Sequence, residues 1–253
     1  MTAPRLRPQV QAARRRLAEG HDELRRRHAQ GGRGREISAA LADLRDEVVL
    51  SLYAAAMESL SADGEAPSVP VALVAHGGYG RRDIAPYSDV DLMILRAPGP
   101  ENGVARLSER MMCDVYDSGL ELGHSVRTTD ETCQLAGEDA TICSSLIESR
   151  FLVGDRALFD AFLEQFRARL RRGSANLVTA VERARLEEQV QHGETVHLLE
   201  PNLKKSRGGL RDLQLVRWIG QIRYGQRDPE ALAAHGALES DDREILDRAG
   251  ELL

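Results

Sequence analysis

Residues 71–95, VALVAHGGYGRRDIAPYSDVDLMIL, constrain the fold of this chain more than any other segment. A short apolar run from Val71 to Ala75 ends in a turn-rich stretch over 76–88, and a second apolar run, DVDLMIL, starts at Asp89. Runs this short, bounded by glycine and proline, predict buried strands. On a strand, residues i and i+2 share a face, so Asp89 and Asp91 are expected to project side by side from a sheet edge. Adjacent carboxylates repel, and a divalent cation relieves the repulsion. Mg²⁺ favours one or two protein carboxylates completed by phosphate oxygens and water, so the pair suits a metal-bound nucleotide. Val90, Leu92, Ile94 and Leu95 anchor the strand in the core and thereby fix the carboxylates.

The glycines extend this pattern. Gly77 and Gly78 directly follow the first strand, where the missing Cβ lets backbone N–H groups approach phosphate oxygens. Arg81 or Arg82 is placed to pair with a phosphate, and Ser88 either donates its hydroxyl or caps a turn. No GK[ST] follows the glycines, which excludes a Walker A loop, and the order Gly77, Gly78, Gly80 is not GxGxxG. Each element alone is weak. Strand, glycine pair, and a DxD on a second strand in that order are far more specific.

Around this segment the pattern is helical. Ile37, Leu41, Leu44, Val48, Leu52 and Met57 keep one helix face apolar, and residues 1–30 predict a polar helix with a frayed end. A helix is expected over 104–116 and a third strand over 120–128. Helices follow near 139–149, 155–172, 175–192, 209–224 and 240–252. The fold class is therefore α+β, a small mixed-sheet core preceded by helices and followed by a helical bundle. The expected divisions are an N-terminal helical arm at 1–62, the core at 63–135 and a helical domain at 136–253. The chain stops in or just after a helix, which suggests a piece of something longer.

Composition closes several alternatives. Apolar residues reach 42% but aromatics only 4%, so the core must be Leu, Val, Ile and Ala. No run of about 18 apolar residues offers a membrane span, and no apolar stretch follows the basic N-terminus to make a secretory signal. Cys113, Cys133 and Cys143 lack metal-ligand spacing and predict reduced thiols in a cytoplasmic protein. Residues 1–35 carry ten arginines against three acidic residues. With no aromatic interleaved for base stacking, these clusters fit a solvated helix face better than a nucleic-acid surface.

GGYGRRDIAPYSDVDL resembles the nucleotidyltransferase superfamily related to DNA polymerase beta. More closely it resembles the bacterial PII uridylyltransferase/uridylyl-removing family, with its GGYGR followed by P-x-SD-[IV]-DL. LELGHSVRT at 120–128, ICSSLIESRFLVGD at 142–155 and EPNLKKSRGGLRDLQLVRWI at 200–219 are similar to that family's later segments, as is RRRHAQGGRGREISAALADLRDEVV to its leader helix. The resemblance implies Mg²⁺-dependent transfer of UMP from UTP to a tyrosine of the PII nitrogen-signalling protein, with release of pyrophosphate. It implies no uridylyl removal and no glutamine sensing within these residues, and His21-Asp22 is a chance HD dipeptide.

Many relatives hold a third carboxylate on a later strand, where this chain has Gly123. Glu121, two residues earlier on the same face, either replaces it as ligand or base or is an exposed strand residue. His124 and Arg127 either contact phosphate or satisfy the strand end. Glycines with Lys204 and Arg211 ahead of a helix suggest a helix start that binds the triphosphate, or a basic loop that caps the helix. A related adenylyltransferase, or an idle module that binds nucleotide or PII, are the alternatives.

Overall fold

The computed structural model describes residues 6–192 and 202–252. Two helices open the chain, α1 (Pro8–Ala29) and α2 (Gly34–Ala62). Next come β1 (Val71–Ala75), a short α3 (Gly77–Arg81), β2 (Val90–Arg96), α4 (Asn102–Ser118) and β3 (Leu122–Thr128). After α5 (Thr129–Glu138) and α6 (Ala140–Ile147), β4 (Arg150–Gly154) returns to the sheet. The helices α7 (Arg156–Arg172), α8 (Ser174–His192), α9 (Leu210–Tyr224), α10 (Pro229–Ala234) and α11 (Ser240–Leu252) follow.

The strands form one mixed sheet in the order β3-β2-β1-β4. β1 is antiparallel to β2 and to β4, whereas β2 and β3 run parallel. Parallel neighbours need a crossover, and α4 supplies it. Its C-terminus closes on Gly119 in the left-handed region at φ 95°, which then feeds β3. Leu73, Ala75, Leu92 and Ile94 share one sheet face and a core with α1, α2 and α4, through Leu41, Val48, Leu52, Leu107 and Val115. The opposite row of Ala72, Val74, Met93 and Leu95 is also buried, and Thr132 donates to the Met93 sulfur at 3.6 Å. The α+β class, with helices on either side of the sheet in sequence, stands as expected.

Three details differ from the sequence reading. The fourth strand, RFLVG, was expected only as a gap between helices; it is an edge strand paired to β1 across an irregular register at Leu73 and Val74. The stretch after β1 contains a helical turn, α3. The N-terminal helices also group with the sheet: one compact unit comprises residues 1–132 and 148–162, and the other 133–147 and 163–253. A boundary at 62 would cut through the core, because Leu41, Leu44 and Val48 of α2 bury against Val10, Ala13 and Leu17 of α1 and against the sheet. The basic N-terminus is part of that packing. Asp114, 2% exposed, accepts from Arg7 at 2.7 Å, and Arg16 forms a two-pronged pair with Glu47 at 2.8 and 2.7 Å. Residues 1–5, and 200–201 of the downstream motif, lie outside the described residues.

Candidate active site

Asp89 and Asp91 meet at one end of the sheet. Asp89 immediately precedes β2, and Asp91 is its second residue. The parallel register sets Asp91 beside Gly123 of β3. A Cβ at Gly123 would stand 2.7 Å from Asp91 Oδ1 and 3.9 Å from Asp89 Oδ2. Both carboxylates therefore converge on the space above one glycine, as the i, i+2 spacing requires. Glu121 lies one residue before β3, its carbonyl accepting from Val90 N at 2.8 Å. Alternation puts its side chain on the Gly123 face, and it is exposed.

The glycine pair reaches the same sheet end from β1. Ala75 pairs with Leu92, and His76 N donates to Asp91 O at 3.1 Å. The chain then turns through Gly77 at φ 58°, a conformation that side-chain-bearing residues avoid. The His76 imidazole is driven down to about 4, chiefly by burial and then by the Arg127 charge, against the Leu92 carbonyl and Asp89. It is neutral at ordinary pH and adds no cation to the site.

The other expected contacts are redistributed. Arg81 is 10% exposed and shared between Asp83 at 3.2 Å and the buried Glu148 at 3.5 Å, so its guanidinium supports the glycine turn. Ser88 Oγ accepts from Ala85 N at 2.9 Å and closes a turn. His124 pairs with Leu92 on the sheet face toward α4, where it lines a small gap with Met111 and Met112, away from the carboxylates. Arg127 alternates onto the Gly123 face.

Lys204 and Arg211 belong to the second unit. The amides at the start of α9 already have partners there. Leu210 N donates to Leu203 O at 2.9 Å, Arg211 N to Lys204 O at 3.0 Å, and Gly208 N to Asp212 Oδ2 at 2.7 Å. Arg211 donates to Gln214 at 2.8 Å and lies over the Trp218 ring at 5.5 Å. Lys204 is exposed. The local geometry is that of a capped loop, with no vacant amide cluster at the helix start.

Several residues near the glycine turn were missed in the sequence. Tyr79 is fully buried and donates to Asp46 Oδ1 at 2.5 Å, and Arg150 of β4 grips the same carboxylate at 2.6 and 3.0 Å. Burial, then Asp46, raise the Tyr79 phenol well above its ordinary range, so it stays a donor. Arg45 is 1% exposed on α2. One signal was legible: Arg45 stands four residues after Leu41 and three before Val48, inside the apolar stripe of α2.

A GlnD PII-uridylyltransferase family model matches residues 180–253, and a DUF294 nucleotidyltransferase family model matches residues 18–124. A bifunctional uridylyltransferase/uridylyl-removing enzyme of Bradyrhizobium sp. (strain ORS 278) is 33% identical over 226 residues, 88% of this chain and 24% of that protein. The enzyme so named in Novosphingobium aromaticivorans is 33% identical over 95% of this chain and 27% of its own length. That of Phenylobacterium zucineum is 36% identical over 81% and 22%. The chain spans about a quarter of the length of these relatives.

Proposed function

The chain belongs to the PII-uridylyltransferase family, and from that premise we propose a Mg²⁺-dependent nucleotidyltransferase that moves UMP from UTP to a tyrosine hydroxyl of the PII nitrogen-signalling protein, releasing pyrophosphate. The observation that carries this reading is the convergence of Asp89 and Asp91 over Gly123, at the sheet end where β1 turns through Gly77 and Gly78. Two carboxylates reaching one point, beside a neutral imidazole, fit a hard divalent cation.

Asp89 and Asp91 would hold the ion, which would supply charge neutralisation at the reacting phosphate and the departing pyrophosphate. Gly77 and Gly78 lie against the phosphates. Glu121 accepts the proton as the tyrosine oxygen attacks the α-phosphorus; the new O–P bond forms and the bond to pyrophosphate breaks. Gly123 leaves room for the two carboxylates, and Glu121 stands two residues earlier on the same strand face, as base rather than as a third ligand. Arg81 ties the end of the glycine turn to Asp83 and Glu148, and Ser88 closes the turn ahead of Asp89 through Ala85 N. Lys204 and Arg211 remain candidates for a phosphate contact through their side chains alone. Three free cysteines fit a reducing cytoplasm. Among the described residues no helix is long and apolar enough to cross a membrane.

The test incubates the chain with Mg²⁺, labelled UTP or ATP, and a PII protein, alongside an Asp89→Ala, Asp91→Ala variant. Label on PII from UTP, absent with the variant, is the expected result. Label from ATP alone would make the chain an adenylyltransferase. Neither transfer nor Mg²⁺-dependent nucleotide binding would sink the enzyme reading and leave a module that binds PII.

A further inference from the structure

The segment 82–88 joins the glycine turn to Asp89, yet it has almost no core of its own. Ile84 is its one buried residue, and Tyr87 is 96% exposed. Arg82 sits at φ 64°, in the left-handed region. What orders the segment is α2. Ser38 Oγ accepts from Ile84 N at 2.7 Å and donates to Ile84 O at 2.8 Å, and Arg82 pairs with Asp43 at 2.5 Å. Arg45 then donates to Ser88 O at 2.7 Å, Pro86 O at 2.8 Å and Ala85 O at 3.4 Å.

Arg45 has no carboxylate partner among the described residues. A buried guanidinium bonded only to carbonyls keeps a charge that its surroundings do not neutralise. Burial lowers its affinity for the proton, and the groups that restore it are Tyr79 and Asp89. The three carbonyls it holds end at Ser88, directly ahead of Asp89.

We propose that Arg45 is a positioning residue for the cation site: by holding the backbone of Ala85, Pro86 and Ser88 from α2, it fixes the place of Asp89. Cation affinity at the sheet end is thereby set from the N-terminal helix. This rests on the reading of Asp89 and Asp91 as cation ligands.

The experiment compares the 253-residue chain with Arg45→Lys, Arg45→Met and Ser38→Ala. The probe is Mn²⁺ with UTP, its Kd measured per folded molecule, together with kcat and KM for transfer and amide hydrogen exchange across 84–90. Arg45→Lys keeps charge and bulk but loses the fork of donors. It is expected to fold, to weaken Mn²⁺ binding about tenfold and to lower kcat about 10²-fold, the scale on which a small misplacement of reacting groups acts. Exchange at Ser88 should quicken, and Ser38→Ala should shift all three in the same direction by less. A purely structural role would lower the folded fraction and leave the Kd of folded molecules unchanged. Wild-type Kd and kcat in folded Arg45 variants would overturn the proposal. If the unsubstituted chain binds no Mn²⁺-UTP, the proposed function fails, and unchanged 84–90 exchange in Arg45→Lys would separately sink the inference. Should the Arg45 variants not fold, rapid exchange of 84–90 in the unsubstituted chain overturns it.

Discussion

Two loops in this chain, 82–88 in the first unit and 202–209 in the second, are each gathered by one buried arginine from a neighbouring helix. Arg45 of α2 holds the carbonyls of Ala85, Pro86 and Ser88. Arg185 of α8 holds those of Lys205 and Ser206 at 2.7 and 3.0 Å. The difference lies in the charge. Arg185 also meets Asp212 at 2.7 Å and Glu188 at 3.2 Å, so its charge is neutralised within its own unit. Arg45 meets carbonyls alone, and Asp89 is the acidic group among those that help to keep it protonated. The same device therefore closes one loop with its charge paired to carboxylates, and holds the other, directly ahead of Asp89, through carbonyls alone. A basic, glycine-bearing sequence does not by itself mark an anion site; what matters is which donors and charges the fold leaves without partners.

The sharpest way to break this contrast is to remove the acidic pair. Asp89→Asn or Asp91→Asn should lower nucleotide transfer by about 10³-fold or more, since each removes charge placed for the transition state. Thermal stability should change little, because relief of the repulsion between two like charges at one sheet end is set, at position 89, against loss of an acidic group near the buried Arg45. A melt that collapses along with activity would mean that the carboxylates serve the fold. Arg185→Met is the mirror test. It takes the buried cation from Asp212 and Glu188, which are partly solvated and keep other partners, and should cost about 3 kcal/mol, the low end for breaking a buried pair. Mn²⁺ binding should not change. Cys143 reports on the same unit: it is fully buried, and burial, with Asp139 adding, pushes its thiol up to about 12. Its alkylation at pH 8 should quicken in Arg185→Met and not in Arg45→Met. Equal quickening in both would erase the distinction between the two clamps.

The acidic pair and the glycine turn were legible because strand alternation and positive φ are local rules: Asp89 and Asp91 are neighbours in sequence, and Gly77 needs only its own dihedral. What holds them was not legible. Arg45 acts over about forty residues of sequence, on carbonyls that any residue type would supply, so no motif records its partners. Asp46, Tyr79 and Arg150 meet from α2, α3 and β4. β4 itself was lost because a five-residue segment with only three apolar residues, Phe151 to Val153, carries little periodicity of its own, and pairing with β1 decides its state. Arg81 and the start of α9 were hard to read for one shared reason. In each, the sequence shows a donor but not the acceptor that folding brings to it, Glu148 in one case and the carbonyls of Leu203 and Lys204 in the other.

Position 121 tests how the site manages without a carboxylate at 123. Glu121→Gln keeps shape and loses the base, so transfer should fall about 10²-fold with Mn²⁺ affinity almost unchanged. A matching loss of Mn²⁺ binding would make Glu121 a cation ligand, and no effect on either would return it to an ordinary exposed residue.

Gly123→Ala should have the smallest effect, and its form is informative. The added Cβ would fall 2.7 Å from Asp91 Oδ1, too close to remain, but that oxygen is the far end of a side chain that can rotate. The backbone of β3 need not move, so stability should change by less than about 1 kcal/mol. The Asp91 carboxylate must swing off the point it shares with Asp89, and Mn²⁺ affinity should drop several-fold. A variant that binds Mn²⁺ as well as the unsubstituted chain would mean that the two carboxylates do not need to converge there. A variant that loses a large part of its stability would mean that glycine serves strand packing, and the contrast between the two loops would have to rest on Arg45 and Arg185 alone.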